Sequence, residues 1–190
     1  RYAGGVGWRL MNFGLTYTMP ELFGVKDFLS VTGGWLQPQK EFVDQPLARL
    51  FANNAMASAE GLGGNIPFSS SFSSWGGTLQ VKPVEWSYVK GGLFMSFPNP
   101  TDSNNNGLMF RGINEENGLF AIGEAGVTPK IGPSKLPGRY AFGGYCYGED
   151  NEEYGTSKYG FYWQADQMVF RESLSDADKL SEQGLRLFSL

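Results

Sequence analysis

The stretch Tyr159-Gly160-Phe161-Tyr162-Trp163-Gln164-Ala165-Asp166-Gln167-Met168-Val169-Phe170-Arg171 changes character residue by residue. Successive side chains of a strand point to opposite faces, so Tyr162, Gln164 and Asp166 fall on one side and Phe161, Trp163, Ala165 and Val169 on the other. One side is wet and the other greasy. The period is two, not the 3.6 of a helical stripe.

The same alternation recurs along the chain. Strand-like runs are expected at about 8–19, 28–37, 75–82, 86–97, 118–128, 140–148, 159–171 and 184–190, separated by turn chemistry. Thr78, Gln80 and Lys82 oppose Leu79 and Val81. Leu119, Ala121, Gly123, Ala125 and Val127 oppose a face that carries Glu124 between Phe120 and Ile122 on one side and glycine on the other. Asn12, Thr16 and Thr18 oppose Met11, Phe13, Leu15 and Tyr17. Aromatics gather near the ends of the runs: Trp8, Tyr17, Trp35, Trp75, Trp86, Tyr88, Phe97, Tyr140, Tyr147, Tyr159 and Phe161. Girdles at a membrane interface need that placement. A soluble β-domain also alternates and also buries aromatics, so the pattern alone leaves barrel and soluble sandwich level.

The connections at 20–26 and 83–85 are short, whereas 38–74, 98–117 and 149–158 are longer or more polar. Membrane barrels alternate short turns at one end with long loops at the other. The segment 172–183 is too long for the tight turn its position calls for. Inside 38–74, residues 45–55 read as a short helix, with Pro46 in its first turn and Leu47, Leu50 and Phe51 along one face. A loop of that size usually has a function, either narrowing a lumen or capping its mouth.

Aromatics are 15% of the chain, glycines number 27 and charged residues are 18%, a balance foreign to soluble helical proteins. No run nears about eighteen consecutive apolar residues, so a membrane role would fall to strands. A net charge of -4 gives no basic footprint for nucleic acid. Histidine is absent, which removes Ser-His-Asp and Cys-His mechanisms and the commonest metal ligand. The single cysteine, Cys146, cannot form an internal disulfide and reads as a packing residue. The glycine pairs Gly4-Gly5, Gly33-Gly34, Gly63-Gly64 and Gly143-Gly144 lack the Lys-Ser/Thr of a phosphate loop. Asp102 with Asn104-Asn105-Asn106-Gly107 lacks the order of a calcium loop and reads as a polar turn. No cofactor and no metal site are expected, the loop carboxylates Glu149, Asp150, Glu152 and Glu153 being the one opening for calcium. The chain reads as a single domain over 1–190, and both its ends, at Arg1 and Leu190, look cut, as a mature domain or a proteolytic product would.

Several motifs follow one another in order. They are Pro46-Leu47-Ala48-Arg49-Leu50-Phe51-Ala52-Asn53-Asn54-Ala55, then Ile66-Pro67-Phe68 leading to Ser74-Trp75-Gly76-Gly77-Thr78-Leu79, then 119–129 with Glu124-Ala125-Gly126. Leu136-Pro137-Gly138-Arg139-Tyr140-Ala141-Phe142-Gly143-Gly144-Tyr145, the run from Tyr159 to Gln167, and Gln183-Gly184-Leu185-Arg186-Leu187-Phe188 complete the series. Together they resemble the carbohydrate-selective porin family of the OprB type across nearly the whole chain. The resemblance implies an all-β, antiparallel transmembrane β-barrel of about sixteen strands, roughly eight of them covered here, in the outer membrane of Gram-negative bacteria. It implies passive passage of monosaccharides and small oligosaccharides, with small sugars and outer-membrane lipid as partners, no nucleic acid, and either a monomer or a homo-oligomer such as a trimer. The sequence departs from the family at Gln37-Pro38-Gln39-Lys40-Glu41-Phe42, where a more acidic Asp-Asn-type segment is usual. That departure bears on sugar preference more than on fold.

In such a pore amides and charges hydrogen-bond sugar hydroxyls while aromatic faces stack on sugar rings, and no covalent chemistry is needed. The candidates are Lys40, Glu41, Arg49, Asn53 and Asn54 from the inserted loop, and Gln80, Lys82, Glu124, Gln164, Asp166 and Arg186 from inward strand faces, with Trp75 as a stacking platform. Taken singly, each charged residue is more readily a solvated wall or loop side chain than a selectivity element. A soluble glycoside hydrolase or sugar-binding module is the enzyme-side alternative, with Glu124 and Asp166 as acid and nucleophile. Such pairs arise easily among 19 acidic residues, so an enzyme is not expected. A structural barrel with a plugged lumen is the other alternative.

Overall fold

A computed structural model of the chain describes residues 10, 12–43, 73–95, 119–147, 159–171 and 184–189. Its elements are β1 (Phe13–Leu22), β2 (Val25–Leu36), a short helix α1 (Pro38–Phe42), β3 (Ser74–Val84), β4 (Ser87–Met95), β5 (Leu119–Val127), β6 (Lys130–Ile131), β7 (Leu136–Tyr147), β8 (Tyr159–Arg171) and β9 (Gly184–Ser189). Every pairing is antiparallel. The strands lie in the order β1-β2-β3-β4-β5-β7-β8-β9, with β6 hairpinned onto β7. This is an up-and-down meander, and among the described residues β1 and β9 end its path without closing on each other. The helix expected at 45–55, the segment 172–183 and the loop carboxylates lie outside the described residues.

Turn chemistry sets the strand ends. Leu22 pairs with Val25 across Phe23 and Gly24, whose φ values of 53° and 77° give the doubly left-handed turn that matches strand twist. Val84 pairs with Ser87 across another two-residue turn. Pro20 and Pro83 both stand inside strands, each at a register shift, where proline's missing N–H interrupts no ladder bond. β7 begins at Leu136, earlier than alternation suggests, because Leu136 and Pro137 pair with the two residues of β6. α1 was not legible either: Pro38 opens it, and five residues are too few to display a helical period.

The expected faces hold strand by strand. Phe120, Ile122 and Glu124 of β5 and Gln164, Asp166 and Met168 of β8 are buried, whereas Leu15, Leu79, Phe142, Phe161, Trp163 and Leu187 are exposed. Phe161 is 74% exposed while Glu124 is 4% exposed, the reverse of a protein whose outer surface meets water. Two aromatics read as girdle residues lie elsewhere: Tyr88 turns to the inner face, and Trp35 is buried, donating its indole N–H to the Leu10 carbonyl.

Inner-face aromatics lie over glycines on the neighbouring strand. Phe94 opposes Gly76, Tyr88 opposes Gly126, Tyr162 opposes Gly143 and Tyr145 opposes Gly160. A Cβ at Gly126 would stand 2.5 Å from Tyr88 Cζ, and one at Gly143 would meet the Tyr162 ring. Covering a strand glycine with a cross-strand ring restores the packing that the glycine lacks. Gly143→Val is therefore expected to displace Tyr162 and to cost about 1–3 kcal/mol of stability, as overpacking does elsewhere. Denaturant unfolding of the refolded protein measures it.

Candidate functional site

The inner face is crossed by the chain segment that follows β2. Phe42, at the end of α1, is buried against Phe94, with ring centroids 6.3 Å apart, in a cluster that includes Phe120, Ile122 and Tyr145. Gly92 makes room for it, since a Cβ there would lie 2.7 Å from Phe42 Cε2. The last carbonyls of a helix lack intrahelical donors. Here two of them are met by the wall: Lys90 Nζ of β4 donates to the Glu41 carbonyl at 2.5 Å, and Gln164 Nε2 of β8 donates to the Phe42 carbonyl at 3.0 Å. Lys90 Nζ also reaches the Glu41 carboxylate at 3.1 Å and stands 4.8 Å from the centre of the Phe42 ring.

Glu124 is the second focus, its side chain 1% exposed. Burying a carboxylate is tolerated only when its charge and lone pairs are matched. The Tyr88 hydroxyl donates to Oε1 at 2.5 Å, the Tyr162 hydroxyl to Oε2 at 3.0 Å, and Arg139 Nη2 to Oε1 at 3.1 Å. Arg139 Nε donates in addition to the Tyr88 hydroxyl at 3.1 Å. The glycine seats explain the geometry: Tyr88 lies down over Gly126, and Tyr162 over Gly143, so both hydroxyls converge on Glu124. Arg139 stands opposite Asp166 in register, and Asp166 is held by Arg186 in a two-pronged pair at 3.0 and 2.7 Å. Acid and base thus alternate as Glu124, Arg139, Asp166 and Arg186 across β5, β7, β8 and β9. The two guanidinium side chains are about one-third exposed, at 31% and 30%, so they present fixed donors on the inner face.

Of the residues singled out from the sequence, Glu41 and Gln164 meet at α1, and Glu124, Asp166 and Arg186 share the charge ladder. Gln80 and Lys82 lie on the Thr78 face of β3, with Lys82 3.8 Å from Asp27. Lys40 is exposed on α1. Trp75 shares the register face of Leu79 and packs edge-on against Trp35, with centroids 5.8 Å apart. Arg49, Asn53 and Asn54 lie outside the described residues. Sequence reasoning did not name Phe42, Lys90 or Arg139 as site residues, read Tyr88 as a girdle aromatic, and placed Tyr162 on the polar face without giving it a role. The alternation Tyr88, Lys90, Gly92, Phe94 carried the signal for two of them, since it assigns those residues one face of β4. Cys146 is exposed on the outer face of β7, opposite Ala121.

Among the described residues no cluster of His, Cys, Asp and Glu is placed to hold a metal. Chemically, the site offers fixed hydrogen-bond donors balanced by carboxylates, a surface suited to neutral solutes rich in hydroxyls.

The model of the carbohydrate-selective porin, OprB family, matches residues 3–188. Among solved structures, the high-pH structure of OprB from Pseudomonas putida aligns with a TM-score of 0.65 at 22% identity, covering 86% of this chain and 41% of that one. The chain therefore spans less than half the length of that structure, and the likeness is one of fold. No curated protein sequence matches.

Proposed function

The chain belongs to the carbohydrate-selective porin, OprB family, and from that membership we propose that it forms part of the wall of an outer-membrane pore for the passive diffusion of small sugars. The observation that carries this reading is the inverted surface: an apolar exposed face on every long strand, backed by an inner face of paired charges and tyrosine hydroxyls. Lipid accepts the first and water the second. The two-residue turns at 23–24 and 85–86 would then face the periplasm, and the opposite end of the sheet, where β2 leads into α1, the outside. α1 enters from that outer end and lies against the inner wall, where it would narrow the path.

Arg139 and Arg186 are the groups best placed to donate to sugar hydroxyls, because their partners fix the guanidinium planes while leaving part of each exposed. The hydrolase alternative draws no support from the geometry. Glu124 is buried and accepts from two tyrosines and an arginine, and Asp166 is held in a two-pronged pair by Arg186, so each carboxylate has its partners within the sheet itself.

The test is single-channel recording. Full-length protein in planar bilayers should show stepwise conductance that falls as glucose or maltose is titrated in. A folded protein that opens no channels would sink the pore reading and favour a plugged, structural barrel.

A further inference from the structure

Lys90 and Glu124 stand directly opposite each other on β4 and β5, the arrangement in which cross-strand charges normally pair. Each reaches elsewhere. Glu124 is taken by Tyr88, Tyr162 and Arg139, and Lys90 turns to the carbonyl and carboxylate of Glu41. From this partner choice we infer that Lys90 and Gln164 are positioning residues: they fasten α1 to two separate parts of the wall and thereby set the free cross-section of the pore. The inference rests on the pore reading above. It also moves Glu41 and Gln164 from sugar contact to anchoring.

Four features of the geometry bear on it. The anchors come from β4 and β8, strands separated by β5 and β7, so α1 is held from both sides of the inner face and cannot swing about a single contact. The acceptors are main-chain carbonyls of Glu41 and Phe42, so the anchoring fixes the backbone of the segment whatever its side chains do. Between the anchors the Phe42 ring fills the space over Gly92, against Phe94, and Lys90 sits over that ring. The hydroxyls of Tyr88 and Tyr162 act one step back, satisfying Glu124 so that it does not draw Lys90 away from the helix.

The experiment compares full-length wild type, K90A, Q164A and K90A/Q164A in planar bilayers, with Lys130→Ala on the exposed β6 hairpin as control. Heat-modifiable gel mobility verifies that each barrel is folded. The double variant is expected to raise single-channel conductance at least about twofold and to raise several-fold the maltose concentration that halves it, because the constriction widens. Lys130→Ala should leave both unchanged. If the double variant does not fold, K90M and K90R decide: the first keeps the aliphatic stem but has no donor for the Glu41 carbonyl and should shift both readouts in the same direction, and the second keeps a donor and should hold them near wild type. Folded variants with wild-type conductance and wild-type maltose block would overturn the anchoring role and leave the pore reading standing. Wild-type protein that opens no channels would remove the pore reading and this inference with it.

Discussion

Leu79→Arg is expected to destabilise the folded barrel by about 2–4 kcal/mol, whereas Thr16→Arg should change its stability by less than about 1 kcal/mol. Both residues are exposed, so burial within the protein does not separate them. What separates them is the face. Leu79 sits in the middle of β3, opposite Val31 and Gly91 on the apolar outer side, while Thr16 bonds to Thr32 at 3.0 Å on the inner side. On the outer-membrane reading an arginine at Leu79 must carry its charge into hydrocarbon, and one at Thr16 meets water. Were the outer face bathed in water, Leu79→Arg would fall within about 0.5 kcal/mol, as exposed surface substitutions do. Urea unfolding of full-length protein refolded in lipid vesicles, followed by tryptophan fluorescence, gives the comparison directly.

The faces were legible in the sequence for the reason this experiment exploits. A period of two is a local property, and every residue declares its side through its neighbours two places away. Tyr162, Gln164 and Asp166 could thus be set against Phe161 and Trp163 before any partner was known. Partners are not local. Lys90 is opposite Glu124 in register yet binds Glu41, a choice decided by the glycine seats at Gly126 and Gly143 that bring two tyrosine hydroxyls onto Glu124. Tyr88 shows the same limit. Its place near a strand end suggests an interfacial aromatic, and only its parity with Lys90 and the space above Gly126 send it inward. α1 escaped notice because its stability comes from Lys90, Gln164 and Phe42's burial, all of them tertiary, and not from its own five residues.

The remaining large effect concerns Arg139. Arg139→Ala removes the cation bonded to the buried Glu124 carboxylate, and removing one partner of a buried pair costs up to about 3–5 kcal/mol, reduced by whatever Lys90 restores in turning toward it. The destabilisation should be largely reversed in the double variant Glu124→Gln with Arg139→Met, because an amide can keep accepting from a tyrosine without carrying a charge that needs a cation. Urea unfolding in lipid vesicles reads both. A full loss in the single variant that the double variant does not recover would mean that Arg139 acts through packing on Tyr88, whose ring lies 5.9 Å from its guanidinium carbon, and not through the charge of Glu124. The single variant has a second consequence. With Arg139 gone, the cation opposite Glu124 in register is Lys90, and its turn toward that carboxylate would release Glu41. Arg139→Ala should therefore raise channel conductance in the direction expected of K90A, although Arg139 makes no hydrogen bond to α1 among the described contacts. On the pore reading, stability of the wall and width of the passage are in this way coupled through one carboxylate.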